Sequence, residues 1–135
     1  MKKTVYEKIY EKLEKLNILK IEAYQKRQSG GLMDLHIDVL EEDEKTKKIA
    51  LAHNYIQNGD VMADPDMEIR IHKELKMAEA LTFQNDGLGI FQRVYIERDG
   101  KKLVNVKLKK DLNKFLNQWL TNIINQKYTA VKGDN

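Results

Sequence analysis

Five residues between positions 53 and 68 carry side chains that ligate metals: His53, Asp60, Asp64, Asp66 and Glu68. Imidazole nitrogen and carboxylate oxygen suit a hard or borderline divalent ion. A phosphodiester hydrolase or nuclease would use such a cluster to activate water. The spacing matches no strong motif, since there is neither an HExxH pair nor a calcium loop. Asp64 and Asp66 project to one side only if Pro65 lies in an extended strand. Pro65-Asp66 resembles a piece of a nuclease core, but the Glu-x-Lys strand that would complete it does not follow. Charged turn residues account for these aspartates as well, so a divalent metal is expected only under the hydrolase reading, and no cofactor otherwise.

His53, Tyr55 and Glu79 form the second constellation, a candidate polar pocket. Strict alternation puts His53 and Glu79 on the apolar sides of their strands, among Leu51, Tyr55, Met77 and Leu81. A bare carboxylate is costly there. Glu79 is therefore expected to be paired with a histidine, arginine or tyrosine, to be protonated, or to sit at the end of a sheet. Such a group can be a structural hydrogen-bond pair or the wall of a pocket.

Other chemistries find less support. There is no cysteine, hence no disulfide framework and no thiolate nucleophile or ligand. Ser29 is the one serine and lies in a Ser-Gly-Gly turn without a G-x-S-x-G elbow. Gly30-Gly31 and Gly87-Leu88-Gly89 are too short to cradle a phosphate. The net charge of +3, from 24 basic and 21 acidic residues, is too mixed to mark a nucleic-acid binder. Glu41 to Glu44 is an acidic block, and Lys101, Lys102, Lys107, Lys109 and Lys110 form a basic one. Both read as solvated faces, although the late lysines, or Tyr24, Lys26 and Arg27, keep weak nucleic-acid binding as an alternative.

These residues must be positioned by one domain, because 135 residues suffice for one core and not two. Val5, Ile9, Leu13 and Leu16 recur at helical spacing after Thr4, with Glu7 three residues on completing a capping box; Asn17 should end this helix. Lys20 to Gln28 reads as a short edge strand. Leu32 to Leu40 alternates, with Met33, Leu35, Ile37 and Val39 on one side, and Lys48 to Gln57 is the next strand. Asn58-Gly59 and Asp99-Gly100 are hairpin turns. Val61 to Asp66 reads as an edge, bulge or loop feeding a strand from Met67 to His72, because Pro65 cannot donate to a ladder. Met77 to Phe83 and Ile90 to Glu97 are further strands, with a short one at Leu103 to Val106. Leu112, Phe115, Leu116, Trp119, Leu120, Ile123 and Ile124 make the clearest helical stripe, and 127–135 is polar and expected to fray.

Short turns favour sequential antiparallel neighbours. The expected fold is therefore α+β: a curved antiparallel β-meander packed against a long C-terminal helix, with an N-terminal amphipathic helix beside it. No stretch approaches the roughly 18 apolar residues that span a bilayer, and the N-terminus lacks an apolar leader core; no membrane association and a cytoplasmic location are the expectation.

The segments Asp64 to Ile71 and Lys76 to Ala80, with the helical Leu112-Asn113-Lys114-Phe115-Leu116-Asn117-Gln118-Trp119-Leu120, resemble small bacterial proteins of uncharacterised function. A related domain-of-unknown-function family ends in the same way, on an LNxFLxxWL helix. The resemblance spans roughly the C-terminal half and implies a bacterial protein of that class, with no activity, cofactor or catalytic residue to carry over. The leading expectation is a non-enzymatic protein-interaction or accessory module with an unknown protein partner. A homodimer is expected through a smooth face made by Ala50, Ala52, Ala78 and Ala80 or through a free strand edge, the alternative being that the N-terminal helix covers that face with Val5, Ile9 and Leu13.

Overall fold

The computed structural model describes residues 2–131. Helix α1 spans Val5–Lys15, and helix α2 spans Val106–Gln126. The strands are β1 (Tyr24–Gln28), β2 (Asp34–Glu42), β3 (Thr46–Gln57), β4 (Asp60–His72), β5 (Met77–Ala80), β6 (Thr82–Asn85), β7 (Ile90–Arg93), β8 (Tyr95–Arg98), β9 (Lys101–Val104) and β10 (Thr129–Ala130). The α+β meander holds: an antiparallel sheet runs in the order β10-β1-β2-β3-β4-β6-β7, with β5 also on β4, and β8-β9 stands apart as a hairpin.

Local chemistry sets the helix ends. Thr4 Oγ1 accepts from the Glu7 amide at 3.2 Å while Glu7 Oε1 accepts from the Thr4 amide at 3.0 Å, closing the capping box. Asn17 takes a left-handed conformation just past α1. Helix α2 begins earlier than its apolar stripe. Asn105 caps it, its side chain accepting from the Leu108 amide at 3.0 Å. The exposed Val106 and Lys107 of its first turn show no periodicity to read.

One face of the sheet and both helices enclose the core: Ile9 and Leu13 of α1, Leu112, Leu116, Trp119, Leu120 and Ile123 of α2, and Leu35, Ile37, Ile49, Leu51, Met67, Ile69 and Ile71 of the strands. Cross-strand rows fix the faces. Ile49 pairs with Ile69, which pairs with Ala80, and Ile71 pairs with Ala78. Ala78 and Ala80 are thus fully buried on the helix side, where small residues let the helices approach β5. This inverts the expected faces of β5 and removes the four-alanine surface, since Ala50 pairs with Glu68 on the opposite, outer face. Alternation holds from Met77 to Ala80 and lapses at Leu81, after which Phe83 meets Phe115 of α2; the apolar bulk of Met77 and Leu81 points to the wrong side.

Other boundaries differ, among them the short strand expected at Leu103 to Val106, which is β9 at Lys101–Val104 while Val106 opens α2. Val61 to Asp66 belongs to one long strand, β4, whose pairing with β3 shifts register between Ala52 and Asn54. The expected Met77 to Phe83 and Ile90 to Glu97 strands break at Leu81 and Val94, whose amides donate to Glu68 and Leu81 carbonyls respectively. Thr129 and Ala130 pair with Gln28 and Arg27 rather than fraying; 132–135 lie outside the described residues.

Asn113 ties α2 to β5. It is fully buried, its Oδ1 accepts from the Ala80 amide at 2.8 Å, and its Nδ2 donates to the Lys109 carbonyl at 2.7 Å. Asn113→Leu fits the stripe by polarity but strands the Ala80 amide. A stability loss of about 1–3 kcal/mol is expected in urea denaturation.

Candidate binding cleft

The structure does not bring His53, Tyr55 and Glu79 together. His53 faces the helix side of β3, its ring edge-on to Trp119 at 5.2 Å between centroids and stacked on Tyr128 at 5.6 Å. Burial lowers its pKa, only partly offset by Asp64, so at neutral pH it is an uncharged core residue. Tyr55 lies on β3 opposite Met62, with its hydroxyl close to Gly87, where an added Cβ would meet that oxygen at 2.8 Å.

Glu79 is paired, but with other partners. Its carboxylate lies 2.7 Å from His72 Nε2 and accepts a hydrogen bond from the Tyr95 hydroxyl. The Lys109 ammonium sits 5.5 Å from the centroids of both the Tyr6 and Tyr95 rings. Burial and the neighbouring carboxylate raise the Tyr95 pKa, keeping the phenol protonated as a donor. This cluster fastens the start of β8 to β5 and to the end of β4.

The metal set disperses likewise. Asp60 is exposed beside the Asn58-Gly59 turn, Asp64 accepts from the Asn85 side-chain amide at 2.9 Å, and Glu68 lies 3.9 Å from Lys48 Nζ. Pro65 does lie within β4, but the register shift falls beside it: Ala52 pairs with Asp66 and Asn54 with Ala63. Among the described residues, no three histidines or carboxylates are grouped so that they could hold a metal ion.

Asp66 is the exception in chemistry. It is half-buried on the outer face, and burial pushes its carboxyl up to about 6, with repulsion from Glu68, Asp38 and Asp86 adding to the effect. The unfolded chain would release this proton near 3.8, so between these values the native state binds more protons and stability falls as pH rises. Asp66→Asn is expected to raise the melting temperature at pH 7.5, with the gain vanishing toward pH 4. Parallel thermal melts across that range check the sign.

What the outer face does assemble is a cleft of about 800 Å³. Its floor is Glu68 and Arg70 of β4, Leu81, and Thr82 of β6; one side is Phe91 and Arg93 of β7; the other is the β8–β9 hairpin, through Tyr95, Ile96, Glu97 and Lys102. Position along the strands explains the floor. Residues 66, 68, 70 and 72 of β4 alternate with buried 67, 69 and 71, and Thr82 pairs directly with Arg93. The Thr82 hydroxyl accepts from the Glu68 amide at 3.0 Å, knitting β6 to β4 where the ladder breaks. The Arg93 guanidinium lies over the Phe91 ring, 5.0 Å from its centroid. The volume is in the range of ligand-binding clefts, but the walls are mixed rather than apolar.

Of these residues, sequence reasoning picked out Glu68 and, in the basic block, Lys102. Arg70, Phe91 and Arg93 were legible only as the wet side of alternating strands. Asp99-Gly100 marks the hairpin turn between β8 and β9 in the sequence, but nothing there places that hairpin over β4.

A family model described as a domain of unknown function, DUF6908, matches residues 4–129. The chain belongs to this family. The match takes in nearly every DUF6908 element described above, from the α1 cap to the first residue of β10. No curated protein and no solved structure matches this DUF6908 chain. Among its described residues, no helix is long and apolar enough to cross a membrane.

Proposed function

We propose that this protein is a non-enzymatic protein-interaction module whose binding site is the cleft between the outer face of the sheet and the β8–β9 hairpin. The observation that carries the reading is the hairpin itself. All eight of its strand residues are exposed, among them Tyr95, Ile96, Leu103 and Val104. A lone two-stranded hairpin is at best marginally stable in water, so one tied to the body mainly through Tyr95, with its apolar side chains about two-fifths exposed, is suited to being completed by a partner.

Selection from a displayed library of random octapeptides tests this directly. Peptides enriched on the wild-type protein should be lost on the doubly substituted Phe91→Asp/Ile96→Asp protein, provided its thermal melt shows a retained fold. Enrichment that ignores those substitutions would overturn the reading, as would no enrichment at all.

A further inference from the structure

The charged groups of the cleft narrow the class of partner. Elsewhere on this sheet cations are matched: Lys48 Nζ lies 2.9 Å from Glu41, Lys73 Nζ lies 2.8 Å from Glu42, and Lys26 lies 3.6 Å from Asp34. Even the buried Lys47 amine donates to the Leu19 and Ile21 carbonyls. In the cleft, Arg70, Arg93 and Lys102 have no carboxylate within 4.0 Å among the described residues, although Glu79 and Glu97 lie opposite Arg70 and Lys102 in register, and the three cations approach one space from its floor, one side and the hairpin. Two of the three are guanidiniums, whose planar forks match carboxylates in two parallel hydrogen bonds. Phe91, 52% exposed beneath Arg93, supplies an apolar platform within the same wall.

The backbone supplies a second half. Strand β7 is the last in the sheet order and pairs only with β6, so its outer edge is unpaired among the described residues. Such an edge is a template for an incoming extended strand. We infer that the cleft takes an acidic, extended peptide segment of a partner protein, lying across the outer face with its carboxylates on Arg70, Arg93 and Lys102 and with the free edge of β7 open beside it to backbone pairing. This rests on the binding-module reading and adds the chemistry of the partner.

Two carboxylates, Glu68 and Glu97, also line the cleft, and they separate peptide from nucleic acid. A phosphodiester strand carries a charge at every step and requires a continuous positive track. An extended peptide turns alternate side chains toward the cleft, so it can set carboxylates at the arginines and neutral residues beside Glu68 and Glu97.

Titration calorimetry of the whole chain tests the inference with three capped octapeptides: one alternating glutamate with valine, and its glutamine and lysine counterparts. The glutamate peptide should bind in a salt-dependent manner. Arg70→Gln and Arg93→Gln should each weaken it about tenfold or more, as loss of a charged hydrogen-bond pair does. Lys102→Gln, on the hairpin and away from the sheet, should weaken it less; unchanged melting curves for all three variants show that the fold persists. Equal binding of the glutamine peptide, still abolished by Phe91→Asp/Ile96→Asp, would overturn the acidic preference while leaving the binding module intact. Binding of none of the three peptides would overturn the inference, and the library selection then decides separately whether the cleft binds peptides. Tighter binding of octathymidylate, lost on the same arginine substitutions, would overturn the inference in favour of single-stranded nucleic acid. Sedimentation showing a dimer that the same variants dissolve would assign the cleft to a second copy instead.

Discussion

Replacing Trp119 with alanine is expected to cost about 3–5 kcal/mol of stability, the range for emptying a large aromatic site in a packed core. Trp119 stands in the middle of α2 with 6% of its surface exposed. It meets His53 edge-on at 5.2 Å and Phe115 at 6.2 Å between centroids, and Phe115 in turn meets Phe83 edge-on at 5.4 Å. The indole therefore joins the middle of the sheet to its β6 end, and truncation takes a packing contact from the rings on both sides, leaving His53 only Tyr128 and Phe115 only Phe83 as ring neighbours among the described residues. Alanine is itself a good helix former, so α2 loses no propensity and the effect reads on packing. Urea denaturation measures it as a lowered midpoint at similar slope. A midpoint shifted by under about 1 kcal/mol would mean that α2 docks mainly through Leu116, Leu120 and Ile123.

The second large effect is expected for Ala78→Glu, which should prevent folding at room temperature. Ala78 is fully buried, pairs with Ile71, and belongs to the same cluster as Ile9 and Leu112. Ala78 has no exposed surface of its own, so a carboxylate there must push past packed apolar neighbours before it can reach the small cleft that His72 and Lys109 also line. It must either stay charged in apolar surroundings or take up a proton, and the penalty for an uncompensated buried charge is about 3–5 kcal/mol before any steric cost. The matching substitution on the outer face, Ala50→Lys, should be tolerated, because its direct neighbours across the strands are Asp38 and Glu68. Circular dichroism of the two proteins separates the faces. A folded Ala78→Glu protein would contradict the placement of the β5 alanines.

These two substitutions also mark how far the sequence was legible. The Trp119 stripe announces itself, since seven apolar residues at helical spacing admit one buried side whatever lies opposite. Period-2 alternation is weaker evidence: it separates two faces without saying which is covered. In β5 the larger residues, Met77 and Glu79, lie outside, and the alanines are inside because two helices press close there. That closeness is a tertiary fact. The Glu79 pairing shows the same division. That a carboxylate in an apolar strand needs a histidine or tyrosine follows from its desolvation cost, but choosing His72 and Tyr95 over His53 requires knowing that β5 lies on β4 and not on β3. The cleft was least legible, because its charged residues come from strands distant in sequence and converge only when the hairpin folds across the sheet.

The short strand β10 makes the two ends of the sheet unequal. Thr129 and Ala130 lie along β1, and the Val131 amide donates to the Lys26 carbonyl at 2.9 Å, so the chain covers that margin itself. Of the two ends of this strand order, the β7 end keeps a four-residue edge open to a foreign strand, whereas the β1 end presents only the two residues of β10 among the described residues. A sheet with one margin closed and one open adds a single strand and stops. Self-templated growth needs both margins, one to donate and one to receive, and here the first is already occupied. An engaged complex should therefore be one-to-one and of finite size, and cutting the chain before Thr129 would turn the same scaffold into one able to stack into filaments.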